Sequence, residues 1–307
     1  MLSTQASSGH RPALIGIEAR VGKRMLPYLF LAPLIGVIVL LLLVPVFMAV
    51  SMSFQRTALD GSVSWEGIGN YIRILRQTRF RTNVMNSLAY VVGNVGISVP
   101  LAFCAALLTT SKFKQASFFR SIFLLPWISA PVVSTVLFRA MLQPRIGPIA
   151  RLLTFIAGEE VVALSNPFTA MVFVTIHSIW RSFPFIMLFL SAGLAAIPDE
   201  LTESALVEGA GPWQRFVRLT LPMVSNQLGI ALILITMWTL QDAETIYAFT
   251  QGGPGYSTET LAVRLFKMAF VNFDLNSGAT IGMLLIVLST AFMAVYLRIA
   301  VGKDIER

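Results

Sequence analysis

The sequence predicts an all-α integral membrane protein with six transmembrane helices. Of its 307 residues, 56% are hydrophobic and only 12% are charged, whereas soluble domains contain about 25% charged residues. Six apolar segments each exceed the roughly 20 residues that an α-helix needs to cross about 30 Å of hydrocarbon. In such an apolar chain, the net charge of +8 indicates contact with anionic lipid and control of topology rather than nucleic-acid binding.

Windows poor in charge locate the six spans along the chain. They are expected at residues 28–50, 84–110, 119–141, 168–196, 223–247 and 279–301. The first is too long for a cleaved signal peptide, so it is interpreted as a retained membrane helix. Residues 26–301 then form one membrane domain, and residues 1–25 and 302–307 are expected to be cytoplasmic tails.

The basic residues are divided almost evenly between the two sides of the membrane, so their total number favours one orientation only by a small margin. An even number of spans places both termini on the same side. With the termini inside, the cytoplasmic segments carry 12 Lys and Arg residues and the outside segments carry 10. The short loop between the second and third spans and the two tails favour termini inside. Three longer outside loops, residues 55–83, 142–167 and 250–277, are expected to face an external partner.

One polar segment, residues 197–222, separates the fourth and fifth spans. Pro198 suits the first position of a helix, and the acidic pair that follows it favours the positive end of the helix dipole. Gly209 and Pro212 interrupt this helix, and a second short amphipathic helix follows. Two short helices joined by a Gly-rich turn predict a docking element, although an ordinary connector between membrane helices would have the same local pattern.

The same segment carries a family motif. Glu203-Ser204-Ala205, three residues, Gly209, nine residues and Leu219-Thr220-Leu221-Pro222 follow one another. This spacing resembles the EAA loop of bacterial ABC-importer permeases and departs from it only at Ser204 and Leu219. The resemblance implies a cytoplasmic coupling helix that seats on an ATPase subunit. The residues that it implicates in coupling are Glu203, Ala205, Glu208, Gly209, Phe216, Leu221 and Pro222.

Further motifs extend the resemblance over residues 26–300. They are residues 27–33 (PYLFLAP), 69–71 (GNY), 125–126 (LP), 180–185 (WRSFPF), 250–254 (TQGGP) and 258–261 (TETL). Together they resemble the first permease subunit of carbohydrate-uptake ABC importers of the maltose and glycerol-3-phosphate type. This implies the type I ABC importer permease fold in the bacterial cytoplasmic (inner) membrane. The implied partners are a second homologous permease, two ATPase subunits and an external solute-binding protein that delivers a sugar or sugar-like solute.

A charged residue inside the fourth span indicates a solute pathway. A charge at the bilayer centre costs about 2.5–3.5 kcal/mol on insertion scales, so Arg181 is expected to face a partner or a water-filled cavity. In the fifth span, Asp242 follows Thr239 by three residues, which places both on one helix face. The resemblance to maltose-type permeases implies substrate contacts at Arg181, Ser182, Phe185, Thr239 and Asp242.

Two alternatives for the charged pair stay open. Arg181 and Asp242 could form a structural ion pair between helices. With His177 they could instead form a proton relay in an ion-coupled secondary transporter. His177 itself is expected to pack in the core rather than bind a ligand.

The sequence gives no sign of catalysis. It lacks the G-x-x-x-x-G-K-[ST] phosphate loop, so ATP hydrolysis is expected in a separate subunit. No H-E-x-x-H motif or Cys/His cluster indicates a metal site, and the single cysteine, Cys104, excludes a disulfide within the chain. We therefore predict a pathway-forming subunit with no catalytic residue, metal or cofactor.

Overall fold

The computed structural model describes Tyr28 and residues 30–58, 60–110 and 114–304, with side chains up to residue 298. The predicted N-terminal tail, residues 1–25, lies outside the described residues, as do the last three residues of the C-terminal tail. The chain divides into two compact units, Met1–Ser51 and Met52–Arg307. A single membrane domain therefore stays a prediction.

The first unit holds most of helix α1, Phe30–Ser53. This helix contains no charged residue and is long enough to cross a membrane. Its hydrogen bonding is of the π type over Val39–Leu43. Pro45 lies two residues after this segment and has no N–H to donate to the preceding turn, so regular α-helical bonding is interrupted here.

The second unit opens with a β-hairpin that the sequence does not predict. Its first elements are β1 (Gln55–Thr57), the antiparallel β2 (Val63–Trp65) and helix α2 (Gly69–Leu75). Asn70 of the GNY motif is buried and donates from Nδ2 to the main-chain oxygens of Ser53 (3.0 Å) and Gln55 (2.7 Å). The motif thus fixes the first strand of the hairpin to the helix that follows it.

Two long helices form the frame of the second unit. They are α3, Thr78–Thr110, and α7, Pro167–Ala195, and they pack along each other. Asn166 caps α7 by accepting a main-chain hydrogen bond at 2.9 Å. The largest apolar core lies between these two helices and α10, Ser225–Gln241. Helix α3 begins six residues before the predicted span, and Arg79 in its first turn pairs with a buried carboxylate, as described below.

The single span predicted at residues 119–141 is two helices. Helix α4, Ala116–Ile128, and helix α5, Pro131–Met141, meet at an angle of 95°. Ala130 between them is extended, with φ −60° and ψ 130°. A residue before proline is disfavoured in the α conformation, so Pro131 explains the break.

The span predicted at residues 223–247 is also broken. Helix α9, Pro212–Met223, meets α10 at 68°. At its other end α10 stops before Asp242, which has φ −72° and ψ 85°, and helix α11, Glu244–Thr250, follows. The carboxylate of Asp242 accepts a hydrogen bond from the main-chain N–H of Thr245 at 3.0 Å. This local bond competes with continuation of the helix.

The remaining helices are α6 (Pro148–Ala157), α8 (Asp199–Val207), α12 (Leu261–Phe266), which continues as a π-helix over Lys267–Val271, and α13 (Leu275–Asp304). Within the described ranges, α1, α3, α7 and α13 are each long and apolar enough to cross a membrane. The number rises to six if the bent pairs α4–α5 and α9–α10 each count as one span. The predicted count of six therefore depends on those two pairs.

A buried carboxylate fixes residues 251–260 to the start of α3. Glu259, whose side chain has no exposed surface, accepts hydrogen bonds from Arg79 (2.8 and 2.6 Å), Asn83 (3.0 Å) and Lys267 (3.1 Å). The guanidinium of Arg79 also lies 3.7 Å from the ring centroid of Tyr256. We call Arg79, Asn83, Glu259 and Lys267 the Glu259 cluster. It joins segments that are about 180 residues apart in the sequence.

Replacing Glu259 by alanine should destabilise the chain by about 3 kcal/mol, because a buried ion pair that loses one partner leaves uncompensated charge. Burial by itself raises the pKa of Glu259, but hydrogen bonds from Arg79, Asn83 and Lys267 outweigh it, so the pKa lies below its usual value. The stabilisation is therefore present above the pKa of an unfolded glutamate and is lost as the pH falls through the lowered value.

The measurement is the melting temperature of the detergent-solubilised full chain at neutral and acidic pH. Glu160→Ala is the matched control, since Glu160 pairs with Arg145 at 3.1 Å on the exposed surface. An exposed pair contributes about 0–1 kcal/mol, so the control should melt almost like the wild type. Equal melting temperatures for both variants would contradict a stabilising role of the cluster.

Candidate functional site

A cavity of about 650 Å³ lies between α3, α4, α5, α7, α10, α11 and α12. Its size falls within the range of small-molecule sites. All five residues that the sequence assigns to substrate line it: Arg181, Ser182, Phe185, Thr239 and Asp242. The structure thus brings together on one surface residues that come from two separate helices and the residue after α10.

Three polar side chains form a hydrogen-bonded chain along one wall. Ser182 donates to Oδ1 of Asn94 at 3.0 Å, and Nδ2 of Asn94 donates to Oγ1 of Thr239 at 2.8 Å. Thr239 in turn donates to the main-chain oxygen of Ile235 at 2.7 Å. We call Ser182, Asn94 and Thr239 the hydroxyl chain. It connects α7, α3 and α10, so the orientations of the two hydroxyls depend on Asn94.

Arg181 and Asp242 line the same cavity but do not bind each other. No direct ion pair joins them in the part of the chain that the structure describes. Asp242 instead accepts hydrogen bonds from the hydroxyl of Tyr90 (2.9 Å) and from the main chain at Thr245 (3.0 Å). Arg181 donates from Nη1 to Oγ1 of Thr245 at 3.3 Å. The simple ion-pair alternative is therefore not the arrangement observed.

An aromatic group forms another wall of the cavity. The ring of Phe185 lies 4.5 Å from that of Trp238 and 6.0 Å from that of Trp127, measured between centroids. All three side chains line the cavity. Such rings present flat apolar faces beside the polar groups of the hydroxyl chain.

His177 packs in the interior, as the sequence predicts. It is fully buried, and its ring lies 5.4 Å from that of Phe138 and 5.9 Å from that of Phe249. Its Nε2 lies 3.3 Å from Oγ of Ser134. His177 does not line the cavity, so it does not extend a proton relay from Arg181 or Asp242 along that surface.

Sequence reasoning missed Asn94, Trp127 and Trp238. Asn94 has a signal in the sequence, because buried polar residues recur along one face of α3 at intervals of three or four. They are Asn83, Ser87, Tyr90, Asn94 and Ser98. The two tryptophans carry no such signal, since a membrane helix that is apolar on every face does not indicate which aromatic residue faces a cavity.

The predicted coupling segment forms helices α8 and α9 with a tight turn between them. Gly209 ends α8 in the left-handed conformation, with φ +79°. Ala210 N–H donates to Ala205 O at 2.9 Å, and Gly209 N–H donates to Leu206 O at 3.0 Å. These two bonds define a Schellman motif, which explains the glycine. Pro198 is the residue before α8 rather than its first residue, which corrects the predicted start.

The coupling segment exposes one set of side chains and buries part of another. Glu203, Glu208, Gly209 and Trp213 are exposed, and Val207 is 89% exposed. We call this set the coupling surface. Among the other predicted coupling residues, Ala205, Phe216, Leu221 and Pro222 are partly buried. Phe216 and Leu221 pack against the main apolar core, with the ring of Phe216 5.2 Å from that of Phe103.

Among the described residues, no group of three or more His, Cys, Asp or Glu side chains is arranged to hold a metal ion.

Comparison with known proteins identifies a matching family and similar permeases. Residues 73–302 match the family described as "Binding-protein-dependent transport system inner membrane component". The chain is similar to the trehalose/maltose transport system permease protein of Thermococcus litoralis, with 30% identity over 283 residues, 92% of this chain and 94% of the relative. It is also similar to the sulfoquinovosyl glycerol transport system permease protein of Agrobacterium fabrum, with 30% identity over 286 residues, 92% and 93% of the two chains.

A solved structure shares the fold. One chain of a bacterial ABC transporter involved in the import of the acidic polysaccharide alginate superposes with a TM-score of 0.79. The two chains are 19% identical, and the match covers 91% of this chain and 96% of the other. The likeness in fold therefore extends over nearly the whole molecule.

Proposed function

The chain belongs to the family of binding-protein-dependent transport system inner membrane components, and we propose that it forms the pathway for a sugar or sugar-like solute in an ATP-driven importer. It is a multi-pass permease subunit rather than an enzyme, because ATP hydrolysis in such importers belongs to separate ATPase subunits. The predicted family and the predicted permease fold are both confirmed.

The composition of the cavity wall carries the carbohydrate assignment. Trp127, Phe185 and Trp238 supply flat apolar faces, and the hydroxyl chain with Asp242 supplies donors and acceptors. Sugar rings have apolar faces and polar edges, so they match such a wall. The names of the similar permeases, which refer to trehalose/maltose and sulfoquinovosyl glycerol, support the same class.

The coupling surface is proposed to dock on an ATPase subunit. Phe216 and Leu221 anchor α9 in the same apolar core that holds α10. A pull on α8 and α9 would therefore move α10, whose far end carries Thr239 at the cavity. Closure of two ATPase subunits could in this way switch the cavity from facing inward to facing outward. A second homologous permease would complete the pathway, and an external solute-binding protein would deliver the solute.

The test of this function is uptake by proteoliposomes that contain the full importer. Uptake should require ATP inside and a loaded solute-binding protein outside, and a protonophore should leave it unchanged. The ion-coupled alternative, with Arg181 and Asp242 as a relay, predicts the reverse. ATP-independent uptake that collapses with the protonophore would reject the proposed function.

We propose that both termini face the cytoplasm, since the coupling surface must meet a cytoplasmic ATPase. A cysteine at Gln214 in a Cys104→Ser background should then resist a membrane-impermeant thiol reagent in intact cells. A cysteine at Ser165, which is exposed in a loop proposed to lie outside, should react. Labelling at Gln214 with protection at Ser165 would invert the orientation.

A further inference from the structure

Arg181, at the centre of α7, forms no direct ion pair within the described part of the chain. Within the described part of the chain, its one hydrogen bond runs from Nη1 to Thr245, and no carboxylate pairs with it. Its Nε is buried and has no acceptor among those residues. The edge of the guanidinium formed by Nε and Nη2 therefore has no partner; Nε is covered in this structure, so a solute reaches both donors once the side chain turns towards the cavity that it lines.

A buried donor without an acceptor is unfavourable, and an unpaired charge in a membrane segment is more so. The free edge of an arginine presents two parallel N–H groups, which match the two oxygens of a carboxylate or phosphate. A single sugar hydroxyl would satisfy only one of these donors and would leave the charge unbalanced. An anionic group on the solute satisfies both donors and the charge together.

We propose that the cavity binds an acidic glycoside, with its anionic group held by the free edge of Arg181. Asp242 and Glu244 also line the cavity and must be considered. Both oxygens of Asp242 already accept hydrogen bonds, from Tyr90 and Thr245, which disperses its charge. Glu244 is exposed in the first turn of α11, where the helix dipole favours a carboxylate. Neither carboxylate occupies the free edge of Arg181.

The other groups that line the cavity can bind the hydroxyls and the ring of the solute. The remaining lone pairs of Asp242 and the hydroxyl chain can receive sugar hydroxyls, and Phe185 with Trp238 can receive a ring face. An acidic sugar derivative combines an anion, hydroxyls and a ring, whereas a simple inorganic anion would leave these groups unused. This inference deepens the proposed function and rests on it.

The test compares methyl β-glucuronide with methyl β-glucoside, which differ only in the oxidation of C6. Binding to the full chain in phosphatidylcholine nanodiscs, which have no net lipid charge, is followed by tryptophan fluorescence because Trp127 and Trp238 line the cavity. The glucuronide should bind at least about ten-fold more tightly to the wild type, and salt should reduce this preference.

The preference should disappear in Arg181→Gln and shrink in Arg181→Lys, which keeps the charge but has no two-pronged edge. It should persist in Arg139→Gln, the matched control, since Arg139 is exposed and does not line the cavity. Equal binding of the two glycosides by the wild type would overturn this inference and leave the proposed function standing. An unchanged preference in Arg181→Gln would do the same. If neither glycoside binds the wild type, the carbohydrate cavity of the proposed function is rejected as well.

Discussion

Gly209→Arg should stop uptake and release the ATPase subunits while the chain stays inserted in the membrane. Gly209 has φ +79°, so any other residue there costs about 1–2 kcal/mol of backbone strain. Apart from its chain neighbours, no described part of the chain lies within 4 Å of a Cβ built at Gly209, so the first atom of the new side chain meets open space. Loss of coupling is therefore expected without loss of the fold.

Gly158→Arg is the matched control for this prediction. Gly158 ends α6 with φ +74°, and the space around its Cβ is equally open. The backbone strain is the same, but the proposed topology places this residue outside, so uptake should continue. Glu203→Lys tests the same surface by charge reversal on an exposed residue. Normal co-purification of the ATPase and normal uptake in Gly209→Arg and Glu203→Lys would show that the coupling surface has no such role.

Arg181→Met and Asp242→Asn should each reduce uptake about ten-fold or more, and the double variant should not recover. The structure gives the reason, because Arg181 binds Thr245 whereas Asp242 binds Tyr90 and the main chain of α11. A direct ion pair would behave differently. Either single change would leave the other residue's charge without a partner, and the double change would restore uptake. The measurement is a double-mutant cycle in which assembly and uptake are scored separately.

Arg56→Met and Glu66→Gln provide the comparison cycle. These residues form an exposed ion pair at 3.5 Å, away from the cavity, and should show a coupling energy of about 0–1 kcal/mol with normal uptake. Full recovery of uptake in the Arg181/Asp242 double variant would indicate that the two residues form a structural ion pair. It would reject both residues as substrate contacts.

The family resemblance implies much of the candidate site, and local spacing is consistent with it. Ser182 and Phe185 follow Arg181 within one helical turn, and Thr239 precedes Asp242 by three residues, so each set shares a region of one helix. What local spacing could not supply is Asn94, which lies 88 and 145 residues from the two hydroxyls that it connects. Such a contact depends on how α3 is placed against α7 and α10.

The sequence by itself determined the membrane class, the approximate positions of the apolar spans and the coupling motif. These features follow from properties that act over one span or one turn: the burial of apolar side chains in lipid, the dipole of a helix end and the need for glycine where φ is positive. Gly209 shows this clearly, because its motif position and its backbone conformation agree.

Only the tertiary structure decided how the two broken spans meet their neighbours and which polar groups pair. Asp242 ends a helix because its carboxylate caps the next one, and it then binds Tyr90 instead of Arg181. Glu259 binds Arg79, which lies about 180 residues away in the sequence. The physical reason is the same in each case: a buried polar group binds whichever partner the packing of helices brings within about 3 Å, and helical periodicity does not specify that packing.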